Sequence, residues 1–256
     1  MTANTLAFEL CQSFLARFEK FAANNQETYK TAAPFPHVVI DDALDTPLIE
    51  SVHGEYPGRN NPIWQHYDDK DIQIKTRTNW RTEADIPSDT RELVRTLNSG
   101  RFLRALSTLT GINNLISDPY LTGGGESSVY RGGILDIHCD GNWHDAMAVH
   151  RRLNIILYLN KNWQESWGGH LEFWDRKLQG CVNKIAPNYN RLAVFLTNDF
   201  TYHGHPQPLN CPDDESRKSL ILYYYTSRPR DPDEVALKNA HRALWRNRGQ
   251  VGVEPK

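Results

Sequence analysis

The chain has 256 residues, with 29 Lys and Arg against 31 Asp and Glu and a formal net charge of −2. That near balance leaves no basic stripe of the kind a polyanion binder carries, so nucleic acid is not expected as a partner. No run of about 18 apolar residues is present to span a membrane, and no Gly/Ser- or Pro-rich linker divides the chain, so one domain is expected.

The N-terminus, MTANTLAFELCQSF, lacks the basic start and unbroken apolar core of a secretory signal. Cys11, Cys139, Cys181 and Cys211 are scattered with no CxxC pair. That pattern suits free thiols in a reducing compartment, so a cytoplasmic location is expected.

In chain order, Leu6, Leu10, Phe14, Phe18 and Phe21 recur at three- and four-residue spacing, which predicts an amphipathic helix over 5–24. HVVIDDAL, 37–44, reads as a short strand. Residues 61–80 are polar and aromatic without a clean period and read as a long irregular loop. Residues 88–112 read as helical, with Leu93, Leu97, Leu103 and Leu106 among the apolar positions. From 127 onward short β-rich runs follow one another, punctuated by Gly, Pro and Asn: SSVYRGGILDIH, RRLNIILYLN, GHLEFWD, NRLAVFLT and KSLILYYYT. Such strands, uninterrupted by helical patterns, predict a sandwich or jelly roll. Asp231, Pro232 and Glu234 form a helix-start signature and Gly249 a stop, which predicts a C-terminal helix. One domain, 1–256, therefore divides into helical support and a loop (1–112), a β core (113–228), and a helix and tail (229–256).

The chemistry-bearing residues lie in the β core. His138 and Asp140 stand two apart in RGGILDIHCDGNWH, so on a strand they share a face while Cys139 points away. His203 follows 65 positions later and Arg217 another 14 after that. Two imidazoles and one carboxylate are the ligand set of a facial iron(II) site, which leaves coordination positions open for substrates. His205 rivals His203 as third ligand, because residues two apart face the same way.

His138, Asp140, His203 and Arg217, in that order, resemble the iron(II)/2-oxoglutarate-dependent dioxygenases, specifically the prolyl 4-hydroxylase-like group. The run Ile156–Leu157–Tyr158–Leu159–Asn160 with Trp163, followed by Gly168–Gly169–His170–Leu171, resembles the YLN…W…GG segment of the hypoxia-sensing prolyl hydroxylases. The resemblance covers about residues 115–228. It implies a double-stranded β-helix (a jelly roll) with flanking helices, hence a mainly β, α+β fold. It also implies Fe(II) on His138, Asp140 and His203, 2-oxoglutarate as cosubstrate, and ascorbate as a further candidate. The family pattern of a ligand His, a small residue and then HP or VP favours His203 over His205. The implied reaction hydroxylates an unactivated C–H bond of an amino-acid residue or small metabolite and converts 2-oxoglutarate to succinate and CO2. The arginine comes a few residues later than usual, after the insert NCPDDES.

The far carboxylate of the cosubstrate requires a cation that stays charged in a dry pocket, a role suited to the arginine fork. On a strand over 217–225, Arg217, Ser219, Ile221 and Tyr223 share a face and Lys218 points to the other. Tyr158 matches a family tyrosine that bonds the same carboxylate; a core tyrosine with a satisfied hydroxyl is the competing explanation. Arg152, Asn154 and Ile156 share its inward face, while Ile155, Leu157 and Leu159 face the other layer. Tyr130 lines the cosubstrate pocket or simply packs. Trp143 and His144, just past the ligand pair, are candidates for substrate contact, as are Arg152 and Asn154. Trp64 and Tyr67 make the 61–80 loop a candidate lid, against the alternative of buried packing aromatics. The expected partner is a small-molecule or peptidyl substrate. Competing functions are a halogenase, disfavoured because Asp140 occupies the place chloride needs; a nucleic-acid demethylase, disfavoured by charge; and a catalytically silent metal-binding or interaction module, which would lack a ligand or the arginine.

Overall fold

Side-chain alternation in the β-rich half and helical periodicity in the first hundred residues build one layered structure. The computed structural model describes residues 3–251. Helix α1 (Ala3–Asn24) leads into α2 (Gln26–Thr31), strand β1 (His37–Ile40) and α3 (Thr46–Gly54). A hairpin of β2 (Trp64–Asp69) and β3 (Gln73–Thr78) precedes α4 (Ser88–Leu97) and α5 (Gly100–Thr110). The remaining strands are β4 (Ile116–Ser117), β5 (Gly125–Val129), β6 (Leu135–Cys139), β7 (Trp143–His144), β8 (Val149–Tyr158), β9 (Leu171–Trp174), β10 (Cys181–Ile185), β11 (Arg191–Leu196), β12 (His203–His205), β13 (Arg217–Thr226) and β14 (Leu244–Trp245). No helix is long and apolar enough to cross a membrane among the described residues.

The strands pair antiparallel in the order β1-β11-β8-β13-β5-β3-β6-β12-β9-β10. This sheet folds over on itself into a jelly roll, the double-stranded β-helix. Alternation decides what each face meets. Leu153, Ile155 and Leu157 of β8 and Leu220, Leu222 and Tyr224 of β13 turn outward onto the helices. Ile156 and Tyr158 turn inward onto Phe35, Phe173 and Phe195. Burying each large apolar side chain contributes roughly 1.5–3 kcal/mol, so the helical layer is a principal support of the barrel wall.

The stripe that α1 buries is Ala7, Cys11, Phe14, Leu15, Phe18 and Ala22, rotated from the expected one, and Leu6 is 44 % exposed. The Phe18 ring packs tilted against Phe102 on α5, with centroids 4.7 Å apart. The helical stretch 88–112 is two helices, because Ser99 caps the second: its side chain accepts from the Phe102 N–H at 3.3 Å.

Two expectations are corrected. Residues 61–80 are not an irregular loop but the β2–β3 hairpin, with Trp64 opposite Thr78 and Asp69 opposite Gln73. Asp69 makes the turn by accepting from the Asp71 N–H at 3.1 Å. The C-terminal helix is also absent over 229–251. The Asp231–Glu234 capping box forms but opens a single 3₁₀ turn, Pro232–Glu234, and a second such turn, Arg246–Arg248, ends at Gly249. The reason is a distant carboxylate. Asp199 takes the N–H groups of Ala236 at 2.8 Å and Leu237 at 3.3 Å, and also binds Arg230 at 2.6 Å. The chain is thereby pulled extended, and β14 pairs with β6, placing Leu244 opposite Cys139 and Trp245 opposite His138. The last part of the expected tail, 252–256, lies outside the described residues.

Candidate functional site

β12 lies antiparallel to β6 with His203 opposite His138, which closes the 65-residue gap between them. The pairing is tight: a Cβ on Gly204 would come within 2.6 Å of the Asp136 carbonyl, so only glycine fits between the two histidines of β12. Asp140 follows the end of β6. Its Oδ1 lies 3.6 Å from His138 Nε2 and its Oδ2 3.7 Å from His203 Nε2. One ligand atom from each of the three side chains falls within 4.8 Å of the others, and all three residues are buried.

The surroundings aim these atoms at a common point. His138 Nδ1 bonds the Asp136 carbonyl at 2.8 Å and His203 Nδ1 the Thr201 carbonyl at 2.9 Å. A ring nitrogen facing a carbonyl carries the proton, so each Nε2 presents its lone pair. Burial pushes the His203 imidazole down to about 4, with His138 adding to the effect and Asp140 opposing it, so the ring is neutral at neutral pH. Burial alone would push the Asp140 carboxyl up; Arg151 and the two imidazoles outweigh it and hold the group well below the usual carboxylate range. Asn154 Nδ2 donates to Asp140 Oδ2 at 2.5 Å. Two imidazoles held by their Nδ1 bonds and an ionised, oriented carboxylate are a donor set that fits a divalent iron.

Arg217 sits at the start of β13, 6 % exposed. Its Nε donates to the Gly169 carbonyl at 2.6 Å and one terminal nitrogen to the Tyr158 hydroxyl at 3.1 Å. Gly169 has φ +74°, and a Cβ there would approach Arg217 Cδ to 2.9 Å, so the second glycine of the GG pair admits the arginine. Tyr158 is fully buried; burial raises its phenol, Arg217 opposing, so the hydroxyl keeps its proton. Ser219 is opposite Tyr158 in register, and its Oγ is buried without a partner, as are both ring nitrogens of His205. A guanidinium with a phenol beside it, and unpartnered polar groups around them, fit a carboxylate-bearing cosubstrate. Lys218 points away, toward Glu215 and the Ser216 carbonyl.

Other expected residues fall elsewhere. Tyr130 lies beneath Arg59, 4.4 Å from its guanidinium, on the β2–β3 side of the barrel. His144 is a satisfied core histidine, bonded to Asp118 at 3.2 Å and to the Met147 N–H at 3.2 Å. Trp143 packs edge-on to His150 at 4.9 Å. Trp64 is buried, donating to the Gly58 carbonyl at 2.8 Å and packing on Tyr56. Tyr67 lies beside Lys75 and Arg77, with centroid distances of 5.8 and 5.4 Å.

Arg152 does not share the inward face of Asn154 and Tyr158. The β8–β13 register shifts between Tyr224 and Tyr225, with Leu153 opposite Tyr224 and Arg151 opposite Tyr225. The extra residue turns Arg152 out to Glu234 at 3.3 Å and brings Arg151 to within 3.5 Å of Asp140. Arg151 is thus a site residue that strict alternation misplaces. Trp245, stacked on the His138 ring at 4.5 Å, is another unforeseen one, since its position depends on the unpredicted β14.

Residues 125–225 match the sequence model of the 2OG-Fe(II) oxygenase superfamily. With the jelly roll and the converging triad, this match makes the chain similar to that superfamily, whose cofactors are iron(II) and 2-oxoglutarate, and within it to the prolyl hydroxylase-like group. Over 86 residues it is 28 % identical to the prolyl 3-hydroxylase OGFOD1 of Mus musculus, a stretch covering 32 % of this chain and 15 % of that protein. The fold is similar to a prolyl hydroxylase from Trichoplax adhaerens solved with a hypoxia inducible factor peptide fragment, with TM-score 0.58 and 18 % identity over 88 % of this chain and 96 % of that one. It is also similar to HygX from Streptomyces hygroscopicus, solved with nickel, 2-oxoglutarate and hygromycin B, with TM-score 0.51 and 11 % identity over 89 % and 99 % of the two chains.

Proposed function

We propose that the protein is an iron(II)- and 2-oxoglutarate-dependent dioxygenase that hydroxylates an unactivated C–H bond of an amino-acid residue or small metabolite. The observation that carries this reading is the convergence of His138, Asp140 and His203 within 4.8 Å. Arg217 and Tyr158, bonded to each other at 3.1 Å, supply the second half of the site. Bound iron(II) and 2-oxoglutarate would supply the oxidising chemistry with dioxygen as oxidant: one of its oxygen atoms goes to the keto acid, which loses CO2 and becomes succinate, and the other enters the substrate C–H bond.

The chain's own residues bind and orient. His138 and His203 would hold the metal through Nε2, their rings fixed by the bonds at Nδ1. Asp140 would supply the third ligand, kept ionised by Arg151 and in place by Asn154. Arg217 and the Tyr158 hydroxyl would anchor the far carboxylate of 2-oxoglutarate, with Ser219 and His205 as neutral neighbours. Buried on the barrel's inner face, these groups act with little competition from water. The four cysteines are free, three of them buried, which supports placing the protein in the cytoplasm.

The test is iron-dependent conversion of 2-oxoglutarate to succinate, followed together with a +16 mass change in a metabolite or peptide pool. Asp140→Ala and His203→Ala should abolish both, since each removes one ligand of three. Succinate formation at the wild-type rate in Asp140→Ala would remove the basis of the proposal.

A further inference from the structure

We infer that the substrate of this site is a small molecule carrying a carboxylate or phosphate group, and that Lys75, Arg77 and Arg151 together hold that group beside the metal ligands. The inference rests on the dioxygenase reading above and adds the chemical class of the substrate.

The site holds more positive charge than iron and cosubstrate explain. Arg217 with Tyr158 accounts for one carboxylate of 2-oxoglutarate, and the other end of that molecule goes to the metal. Three further cations crowd the same region. The Arg151 guanidinium lies 3.8 Å from the Tyr223 ring centroid and 3.5 Å from Asp140. Arg77 meets it: a Cβ placed on Gly123 would have Tyr223 Cε2 at 3.3 Å, an Arg77 terminal nitrogen at 3.6 Å and an Arg151 terminal nitrogen at 4.0 Å. Lys75 is two residues before Arg77 on β3 and so shares its face, while Thr76 between them turns to the Ser128 carbonyl. Burial pushes the Lys75 ammonium down to about 8, with Arg77 and Arg217 adding to the effect and Asp140 opposing it.

Compensating anions are scarce. Asp140 is the carboxylate beside Arg151, and it is committed to the metal. Among the described residues, neither Lys75 nor Arg77 has a carboxylate within 4 Å. The Nε atoms of Arg77 and Arg151 are buried without hydrogen-bond partners. Lys75 and Arg77 are half-buried, and Arg77 donates only to the neutral Gln65 side chain, at 3.3 Å, so a neutral substrate would leave this cluster of like charges partly desolvated and without a counter-ion. An oxyanion relieves the cost, because the planar fork of arginine matches carboxylate and phosphate oxygens two at a time. A small molecule fits better than an acidic peptide, since Arg151, the cation nearest the metal ligands, is only 12 % exposed and lies against the Tyr223 ring, while the half-buried Lys75 and Arg77 lie beside Tyr67.

The test is calorimetric titration of the full chain, loaded with manganese(II) and saturating 2-oxoglutarate, with three probes: N-acetylglycine, N-acetylglycinamide and inorganic phosphate. One of the two anions should bind at least about ten-fold tighter than the neutral amide, and which one binds tells carboxylate from phosphate. Arg77→Gln and Lys75→Met should each weaken the anion by about ten-fold or more, while Arg77→Lys, which keeps the charge, should lose less. The affinity for 2-oxoglutarate, measured separately, should stay within about three-fold in all three variants. Unchanged anion affinity in both charge-removing variants, or equal binding of acid and amide, overturns the inference while leaving the dioxygenase reading intact. Parallel loss of 2-oxoglutarate affinity also overturns it, by assigning these cations to the cosubstrate. An aspartate-containing hexapeptide that binds more than about ten-fold tighter than either small anion overturns the small-molecule assignment. Wild-type protein that binds the anions but neither manganese nor 2-oxoglutarate overturns the dioxygenase reading and leaves the oxyanion cradle standing.

Discussion

Replacing Arg217 by glutamine should separate cosubstrate binding from every other property of the site. The guanidinium is 6 % exposed and is placed in advance by the Gly169 carbonyl at 2.6 Å and the Tyr158 hydroxyl at 3.1 Å. Truncating one partner of a buried charge pair typically costs about 2–5 kcal/mol. Tyr158 and Ser219 remain as neutral donors, so the lower part of that range applies, about 2–3 kcal/mol, or roughly 30- to 150-fold in 2-oxoglutarate affinity. Glutamine is preferred to alanine because it can still bond the Gly169 carbonyl and spare the fold. The assay is calorimetry of 2-oxoglutarate binding to manganese-loaded protein, with metal affinity and thermal midpoint measured alongside. Lys218→Ala is the control, since its ammonium points to Glu215 and the Ser216 carbonyl. Tyr158→Phe should lose about 1 kcal/mol, or roughly five-fold. Equal losses at Arg217 and Lys218, or loss of metal binding in Arg217→Gln, would show that this arginine does not anchor the cosubstrate.

Asn154→Ala removes the 2.5 Å bond that orients Asp140, so metal affinity should fall about 10- to 100-fold; an unchanged metal titration would make Asn154 an ordinary wall residue. Trp64→Ala empties a buried site at the base of the hairpin and should destabilise the fold by about 3–5 kcal/mol in chemical denaturation. Tyr67→Ala, on the half-buried part of the same hairpin, should lower coupled hydroxylation while 2-oxoglutarate-to-succinate turnover without substrate continues; unchanged coupling would end the idea that the hairpin serves as a lid. Glu126 is fully buried with both carboxyl oxygens unpartnered, and burial raises its carboxyl well above the usual range. The unfolded chain loses that proton near pH 4.5 and the folded one keeps it, so stability from this group is full at lower pH and falls by about 1.4 kcal/mol per unit above it, until the folded group ionises. Glu126→Gln should flatten that decline in urea midpoints measured from pH 5 to 8; parallel profiles for the two proteins would mean that Glu126 ionises normally.

Residue type and order carry the metal site in the sequence, and alternation carries much of its frame. Strands β8 and β13 pair regularly over most of their length, so Asn154, Ile156 and Tyr158 face one way, and Arg217, Ser219, Ile221 and Tyr223 meet them. Where a contact from far along the chain sets orientation, local pattern is blind. The bulge at Arg152 exchanges the roles of two adjacent arginines, and one carbonyl, that of Thr201, sets the His203 ring that spacing could not distinguish from His205. The capping box at Asp231 is a true local signal, yet Asp199, more than thirty residues away, withdraws the N–H groups that a helix needs.

The β2–β3 hairpin escapes recognition for a related reason. A strand reads as alternating when one face is apolar and the other wet, but here one face carries the half-buried Lys75 and Arg77 and the other the buried Thr76 and Thr78, so both faces read as polar. That failure is informative in itself. Polar side chains turn into a barrel only where something polar will meet them, because unpaired buried charge costs more than packing returns. The segment with the weakest periodicity therefore delivers two of the three cations that set the charge of the substrate. Arg151, the third, comes from the one place where β8 breaks its alternation. Iron chemistry is written in a short ordered set of ligand types that any jelly roll of this kind can hold; substrate choice is written in the departures from regular strand pattern around it.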